Sequence, residues 1–177
     1  MGKFLMGILF TVVIIFLGGF VLLKKGYVNL AADVEPLPFE KSLAMGAVDA
    51  STERHAPDRK NPNSPSEVTI VAGAQLYLNH CAGCHGVPAN PDSTFGKSFY
   101  PLVPAFFKDA PDMPENENFY IIAHGIRWTG MPAWNKTLTE AQIWQIVTFL
   151  SNIEKLPPAA SKVFEPPAAA LPSGAAR

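Results

Sequence analysis

The sequence predicts an all-α protein in which one apolar helix of membrane-spanning length and a flexible linker precede a small helical domain. Twenty residues from Phe4 to Leu23 carry no charge and are mostly Phe, Leu, Ile and Val. Helix-capping residues occur at 64–67 and 138–142, and apolar residues at helical spacing follow the second cap. No alternation of strand and helix patterns is present. Helices therefore account for the whole predicted fold.

The N-terminal apolar segment is predicted to be a membrane anchor over residues 1–25. Its length suits a helix that crosses a bilayer. A cleaved signal peptide is the alternative, and it would normally have a shorter apolar core followed closely by small residues. Lys24 and Lys25 come next instead, although Ala31 and Ala32 keep a cleavage site open. We expect one uncleaved span.

Two polar segments flank the predicted domain over 64–156. Residues 26–63 are rich in proline and mixed in charge, which predicts a flexible linker. Part of this stretch, 39–50, has the alternative of a short amphipathic helix. Residues 157–177 are rich in Pro and Ala without a packing pattern, which predicts a disordered tail.

The first helix of the domain is predicted to begin at the segment Ser64–Glu67. Ser64 and Glu67 have the spacing of a capping box, with Pro65 at the first helical position. Further along, Gly73 and Tyr77 are four residues apart and share a face. A glycine on that face predicts the close approach of another helix, for which the C-terminal helix is the candidate.

The C-terminal helix is predicted from capping residues at its start and from a stripe of apolar residues along one face. Thr139 and Gln142 have the spacing of reciprocal caps, and Leu138 can pack on Ile143 as a hydrophobic staple. The apolar stripe consists of Ile143, Ile146, Val147, Leu150 and Ile153. A middle helix is predicted over 115–124, ended by Gly125. The stretch between His85 and Pro114 is predicted to be mostly loop.

The pentapeptide CAGCH at residues 81–85 contains both cysteines of the chain and a histidine directly after the second. This spacing is typical of covalent haem c attachment, in which each thiol adds to one vinyl group of the porphyrin. The sequence therefore predicts one haem c bound through Cys81 and Cys84, with the His85 imidazole as an iron ligand.

Two other functions of a Cys-x-x-Cys pair fit this chain less well. A structural zinc site needs four ligands, and no further cysteine is present. A thioredoxin-like redox site would need alternating strands and helices around the motif. Both alternatives are therefore disfavoured by the sequence.

Met131 is the candidate for the second axial ligand of the iron. It lies between Gly130 and Pro132, which favours a turned and then stiffened loop. Core filling is the usual role of a methionine, and Met113, also followed by a proline, is a competing ligand. His80 and His124 are further alternatives. His80 is placed in the turn before Cys81 and His124 at the end of a helix, where imidazole suits the last carbonyls.

Residues 64–156 resemble a single-haem cytochrome c domain of the class I type. The matching pieces are GAQLY at 73–77, CAGCHG at 81–86, GMPAW at 130–134 and the terminal helix through Trp144 and Phe149. The resemblance implies helices around haem, His and Met as axial ligands, and electron transfer as the activity. It also implies a loop proline whose carbonyl accepts a hydrogen bond from the ligand histidine. Four prolines are candidates for it: Pro88, Pro91, Pro101 and Pro104.

The resemblance also bears on location, because haem attachment in this family takes place outside the cytoplasm. The haem domain is then expected on the periplasmic or equivalent outer face. Charge does not decide the orientation, since Lys3 on one side of the span is balanced by Lys24 and Lys25 on the other.

Charge excludes some partners. The chain has a net charge of −1, and residues 65–156 contain 5 Lys or Arg against 8 Asp or Glu. No basic patch for nucleic acid is present, and a mildly acidic domain disfavours an acidic partner surface. The predicted function is a membrane-anchored electron carrier between a redox donor and an acceptor. The alternatives are a cytochrome subunit of a larger membrane dehydrogenase or oxidase, and a haem-based gas sensor.

Overall fold

The structure, a computed structural model, describes residues 1–165 of the 177-residue chain. Over these residues it is helical, and its only strand-like feature is an isolated bridge between Val87 and Asn90. The seven α-helices are α1 (Gly2–Lys24), α2 (Glu40–His55), α3 (Glu67–His80), α4 (Ala82–His85), α5 (Glu115–His124), α6 (Glu140–Leu150) and α7 (Pro158–Lys162). Single 3-10 turns occur at Gly96–Ser98, Trp134–Lys136 and Ile153–Lys155. The all-α prediction is confirmed.

Helix α1 belongs to a separate unit that comprises residues 1–35. It is 23 residues long, and none of its side chains is buried by protein. An apolar helix of this length can cross a bilayer, because about 20 residues span the hydrocarbon core. This agrees with the predicted membrane anchor.

The second unit begins at Pro36, and its core lies between α3, α5 and α6. Helix α6 begins at the predicted capping box, in which Thr139 and Gln142 each satisfy the backbone of the other. Helix α5 has the predicted bounds and ends at Gly125, whose φ is +67°. Helix α3 is capped by Ser66, which accepts a hydrogen bond from Thr69 N, two residues later than the predicted cap.

The close approach predicted at Gly73 is present. A Cβ at residue 73 would overlap the Gln145 carbonyl of α6 and lie 2.8 Å from Phe149 Cβ. The aromatic side chain one turn later, Tyr77, is fully buried and its ring lies 5.0 Å from that of Phe149. Helices α3 and α6 therefore pack in a fixed register.

Within the stretch 26–63, which was predicted to be a flexible linker, helix α2 occupies residues 40–55 and overlaps the short helix given as the alternative over 39–50. Residues 56–63 form a strap along α5 and α6. The Asn61 amide donates to Thr148 Oγ1 (3.0 Å) and to Glu115 Oε1 (3.3 Å). The Arg59 guanidinium lies 5.2 Å from the Phe119 ring and pairs with Glu140 at 2.7 Å. These polar and cation–π contacts leave no apolar stripe in the sequence, which is why the strap was not predicted.

The predicted disordered tail over 157–177 is corrected for its first nine residues. Helix α7 buries Ala160 completely, and the Phe164 ring lies 6.2 Å from Tyr77 and 5.3 Å from Phe107. The small residues of this segment let it lie flat on the core. Residues 166–177 of the predicted tail are outside the described residues.

The Tyr77 hydroxyl links the helical core to the turn that contains the two cysteines. It donates a hydrogen bond to the carbonyl of Gly86 at 2.9 Å, in a buried setting. Gly86 has a φ of +83°, and a Cβ there would lie 2.9 Å from Asn90 O, so the residue is confined to glycine. The bond therefore fixes where the turn ends.

We predict that Tyr77→Phe lowers the free energy of unfolding by about 1–3 kcal/mol, because it leaves the buried Gly86 carbonyl without its partner. Denaturant unfolding of the haem-loaded full chain in detergent measures the change. Tyr120→Phe is the matched control, since no hydrogen bond of its hydroxyl occurs among residues 1–165. Equal losses in both variants would contradict the role of the Tyr77 bond.

Candidate haem site

The cysteine turn is one short helix that continues α3 after a change of direction. Cys81 is both the last cap of α3 and the residue before α4. Its carbonyl accepts hydrogen bonds from Cys84 N (3.0 Å) and His85 N (2.9 Å). Residues three and four apart in a helical turn lie on the same side. The two thiols and the imidazole are therefore presented together.

The His85 ring is held by a loop on the other side of the turn. Its Nδ1 lies 2.9 Å from the Pro104 carbonyl oxygen, which can only accept, so Nδ1 carries the proton. The ring also stacks on Phe106, with centroids 4.4 Å apart and an interplanar angle of 6°. These contacts leave Nε2 as the atom able to bind a metal. Of the four candidate prolines, Pro104 supplies the carbonyl.

Burial sets the protonation of this cluster. It lowers the pKa of His85, an effect that the hydrogen bond to Pro104 opposes, so the imidazole is favoured as the neutral ligand form. Burial, together with the neighbouring Cys84, raises the pKa of the Cys81 thiol to about 12. A thioether at that position would have no proton to lose. Covalent attachment of a cofactor there would therefore remove an ionisable group from a site that disfavours charge.

Met131 lies in a loop that is closed on itself. Its carbonyl accepts a hydrogen bond from Ile126 N at 3.1 Å, and its own N donates to Thr129 Oγ1 at 3.1 Å. A Cβ at Gly125 would lie 2.6 Å from the Met131 carbonyl oxygen, so the loop requires glycine there. The Met131 side chain is half-buried and packs against the core. Its backbone position is therefore well determined.

The other candidate ligands have different surroundings. Met113 is half-buried in the segment before α5, where its carbonyl accepts from Asn118 Nδ2 at 2.9 Å. His80 is exposed at the end of α3, with its ring 5.2 Å from that of Trp134. His124 is exposed at the end of α5, where the sequence places it. Of the two methionines, Met131 is the one whose side chain packs against the core of the described residues.

A loop over residues 93–99 connects the cysteine turn with the methionine loop. At one end a Cβ on Gly96 would overlap the carbonyl of Cys84. At the other end the Phe99 ring packs against Gly130, where a Cβ would lie 2.5 Å from Phe99 Cδ1. The structure thus brings the loop of Met131 and the turn of Cys84 against one short segment, although the two residues are 47 positions apart in sequence.

The donor set fits a haem c. Two thiols on one turn, an imidazole with a free Nε2 and a thioether are the groups that such a cofactor uses. No three His, Cys, Asp or Glu side chains converge on a metal position in residues 1–165, which disfavours a zinc site.

Sequence reasoning left two contributors to this site unresolved. Pro104 was one of four candidate prolines, and Phe106 lies in the stretch that was predicted only to be mostly loop. The contacts of Pro104 and Phe106 with His85 span about twenty residues of irregular chain, for which no periodic signal exists. The proline-rich composition of the segment was the one available signal.

Comparison with protein families gives a match that coincides with the core of the second unit. Residues 69–150 match the model of the family described as Cytochrome C oxidase, cbb3-type, subunit III. Comparison with curated proteins and with solved structures gives no match. The matched region contains the cysteine turn, the methionine loop and α6. By this match residues 69–150 are a cytochrome c domain, and the same chain has an N-terminal apolar helix of membrane-spanning length.

Proposed function

We propose that this protein is a membrane-anchored cytochrome that passes single electrons between redox partners through one haem c. In the proposal, Cys81 and Cys84 form the thioether links, and His85 and Met131 are the axial ligands. The observation that carries it is the orientation of His85, whose Nδ1 is committed to Pro104 and whose Nε2 remains for iron. A histidine oriented through its other nitrogen is the usual arrangement in metal sites.

Each residue has a defined part in this proposal. The Pro104 carbonyl and the Phe106 ring hold the imidazole in one orientation, so the ligand does not reorganise when an electron arrives. The closed loop from Ile126 to Met131 keeps the thioether in place and denies small molecules the sixth position. When bound, the haem supplies one-electron chemistry at its iron, with a potential that thioether ligation raises.

The anchor and the location are part of the same proposal. Helix α1 would hold the protein in the cytoplasmic membrane as a single span, and the haem domain would face the periplasm. Periplasmic exposure follows from where haem is attached in cytochromes c. The use of both cysteines for thioether links to haem is also consistent with this location.

We expect that Met131→Ala opens the sixth position of the iron. The reduced variant should bind carbon monoxide stoichiometrically, whereas the wild type should bind almost none, and the far-red sulfur-to-iron band of the oxidised spectrum should disappear. Visible spectra of the haem-loaded full chain, with and without the gas, measure both changes. A reduced wild type that binds the gas at once would favour the gas-sensor alternative.

Met113→Ala is the matched control, because it removes the same side chain from the competing position. Its spectrum and its response to carbon monoxide should equal those of the wild type. Loss of the sulfur band in this variant, with retention in Met131→Ala, would assign the ligand to Met113.

The location has a direct test in intact cells. In spheroplasts from which the outer layers have been removed, added protease should digest the haem domain and leave a membrane-embedded N-terminal fragment. A cytoplasmic protein serves as the control for intact spheroplasts. Protection of the haem domain, or its release into the periplasmic fraction without residues 1–25, would contradict the proposed topology.

A second candidate function is a cytochrome subunit within a membrane enzyme complex. The specific observation in its favour is the matched family, whose description names a subunit of a cbb3-type oxidase. A free carrier and a subunit share the same haem chemistry and differ in their assembly.

The two candidates predict different sizes after extraction in mild detergent. A carrier should elute as a monomer of 19.1 kDa plus its detergent belt, and a subunit should elute with haem-containing partners in a fixed ratio. Size-exclusion chromatography with protein and haem quantification measures this. We expect the monomer. A stoichiometric complex that survives at high salt would contradict the free-carrier function and favour the subunit function.

A further inference from the structure

Trp128 combines an exposed aromatic ring with an unfavourable backbone conformation. Its side chain is 93% exposed, and its φ is +62°. It is the one residue other than glycine with positive φ among residues 1–165. A bulky side chain in the left-handed region is strained, and glycine or asparagine is the usual occupant.

The loop around Trp128 does not need this ring. The hydrogen bond from Ile126 N to the Met131 carbonyl closes the loop, and Thr129 Oγ1 donates to Ile126 O at 2.8 Å. These contacts involve the backbone and one hydroxyl, while the indole packs against almost nothing. Contacts within residues 1–165 therefore give no reason for a tryptophan at residue 128.

Two further aromatic rings lie beside the loop of Trp128, namely Phe99, which is half-buried, and Phe95, which is exposed. Two residues on, Gly130 packs against the Phe99 ring, and that ring lies edge-on to Phe95 at 5.0 Å between centroids. Phe95 is 61% exposed. We call Phe95, Phe99 and Trp128 the aromatic rim. It joins the loop of Met131 to the segment that packs on Cys84.

The aromatic rim is bordered by positive charge. Arg127 precedes Trp128, is exposed, and forms no ion pair among the described residues. Lys97 lies between the two phenylalanines, is exposed, and is 3.7 Å from Asp92, which Lys108 also contacts. Two lysines thus share one carboxylate. Together with Arg127, these side chains have a net positive charge, in contrast to the mildly acidic domain as a whole.

We propose that the aromatic rim is the docking surface for a redox protein that has an apolar patch bordered by acidic residues. This inference rests on the proposed function, since it places electron exchange at the edge of the site between Met131 and Cys84. Trp and Arg are enriched among the residues that dominate protein interfaces. Complementary charge would steer the encounter and set its orientation.

A protein partner accounts for the strain better than a lipid surface does. A ring held in one direction by an unfavourable backbone suits a pocket of fixed shape, where the interaction offsets the strain. Insertion into lipid headgroups needs an apolar ring but no fixed direction, so it gives no reason to retain positive φ at a tryptophan.

The test uses the full chain as the only copy in its own cells. In membranes from these cells, the rates of haem reduction by respiratory substrate and of reoxidation are followed by absorbance. Trp128→Gly and Trp128→Asn suit positive φ and remove the ring. We expect at least one of the two rates to fall by about tenfold or more, while reduction by hexaammineruthenium, which needs no docking, stays unchanged.

Melting temperature separates docking from a structural role. Both variants should melt at the wild-type temperature or above it, because the strain is relieved. Val68→Ala is the matched control, since Val68 is 80% exposed at the start of α3. It should transfer electrons at the wild-type rate in the same membranes.

Three results would overturn the proposal. Wild-type rates in both Trp128 variants would remove the docking role, and equal slowing with hexaammineruthenium would indicate damage to the site itself. A spin label attached to the Trp128→Cys variant reports its surroundings in membranes of the reduced protein. Collision with oxygen, but not with a water-soluble nickel chelate, would assign the surface to lipid. Failure of the proposed electron-transfer function would give a different result from failure of the docking proposal. In that case the haem of the wild-type protein would show no redox change in the membranes.

Discussion

Contact between α3 and α6 at Gly73 is the constraint on which the haem site depends. The helices approach so closely that any side chain at residue 73 would overlap the Gln145 carbonyl. A backbone cannot yield as a flexible side chain can, so this contact fixes both the distance and the register of the two helices. Because α3 leads directly into Cys81, the register of its packing also sets where the cysteine turn begins.

From this helix pair, a short series of contacts extends to the ligands. Tyr77 packs on Phe149 of α6 and donates to Gly86, just after the turn. On the other side of that turn, His85 donates to Pro104. Each step joins a rigid element to an irregular one through a single directional bond. The loops around haem therefore take their positions from a scaffold that is itself made of ordinary helix packing.

The sequence was most informative where the physical cause is local. The bounds of α5 and the cap at Thr139 follow from residues within one turn of each helix end, and both were predicted. The strap was missed because Asn61 and Arg59 act on residues more than fifty positions away, through contacts that leave no periodicity. The sequence could not distinguish Pro104 from the three other candidate prolines for the same reason. The distinction depends on how the loop after His85 folds back onto the imidazole.

Net charge and local charge lead to different conclusions about partners. Counted over residues 65–156, the acidic residues outnumber the basic ones by 8 to 5, and this average argues against an acidic partner. An encounter between proteins depends instead on the potential within about one Debye length of the contact, roughly 8 Å at physiological ionic strength. Arg127 directly precedes Trp128 in the sequence and is exposed, and carboxylates farther from the contact than this distance are screened. The partner chemistry is therefore set by the surface beside the haem site rather than by the composition of the domain.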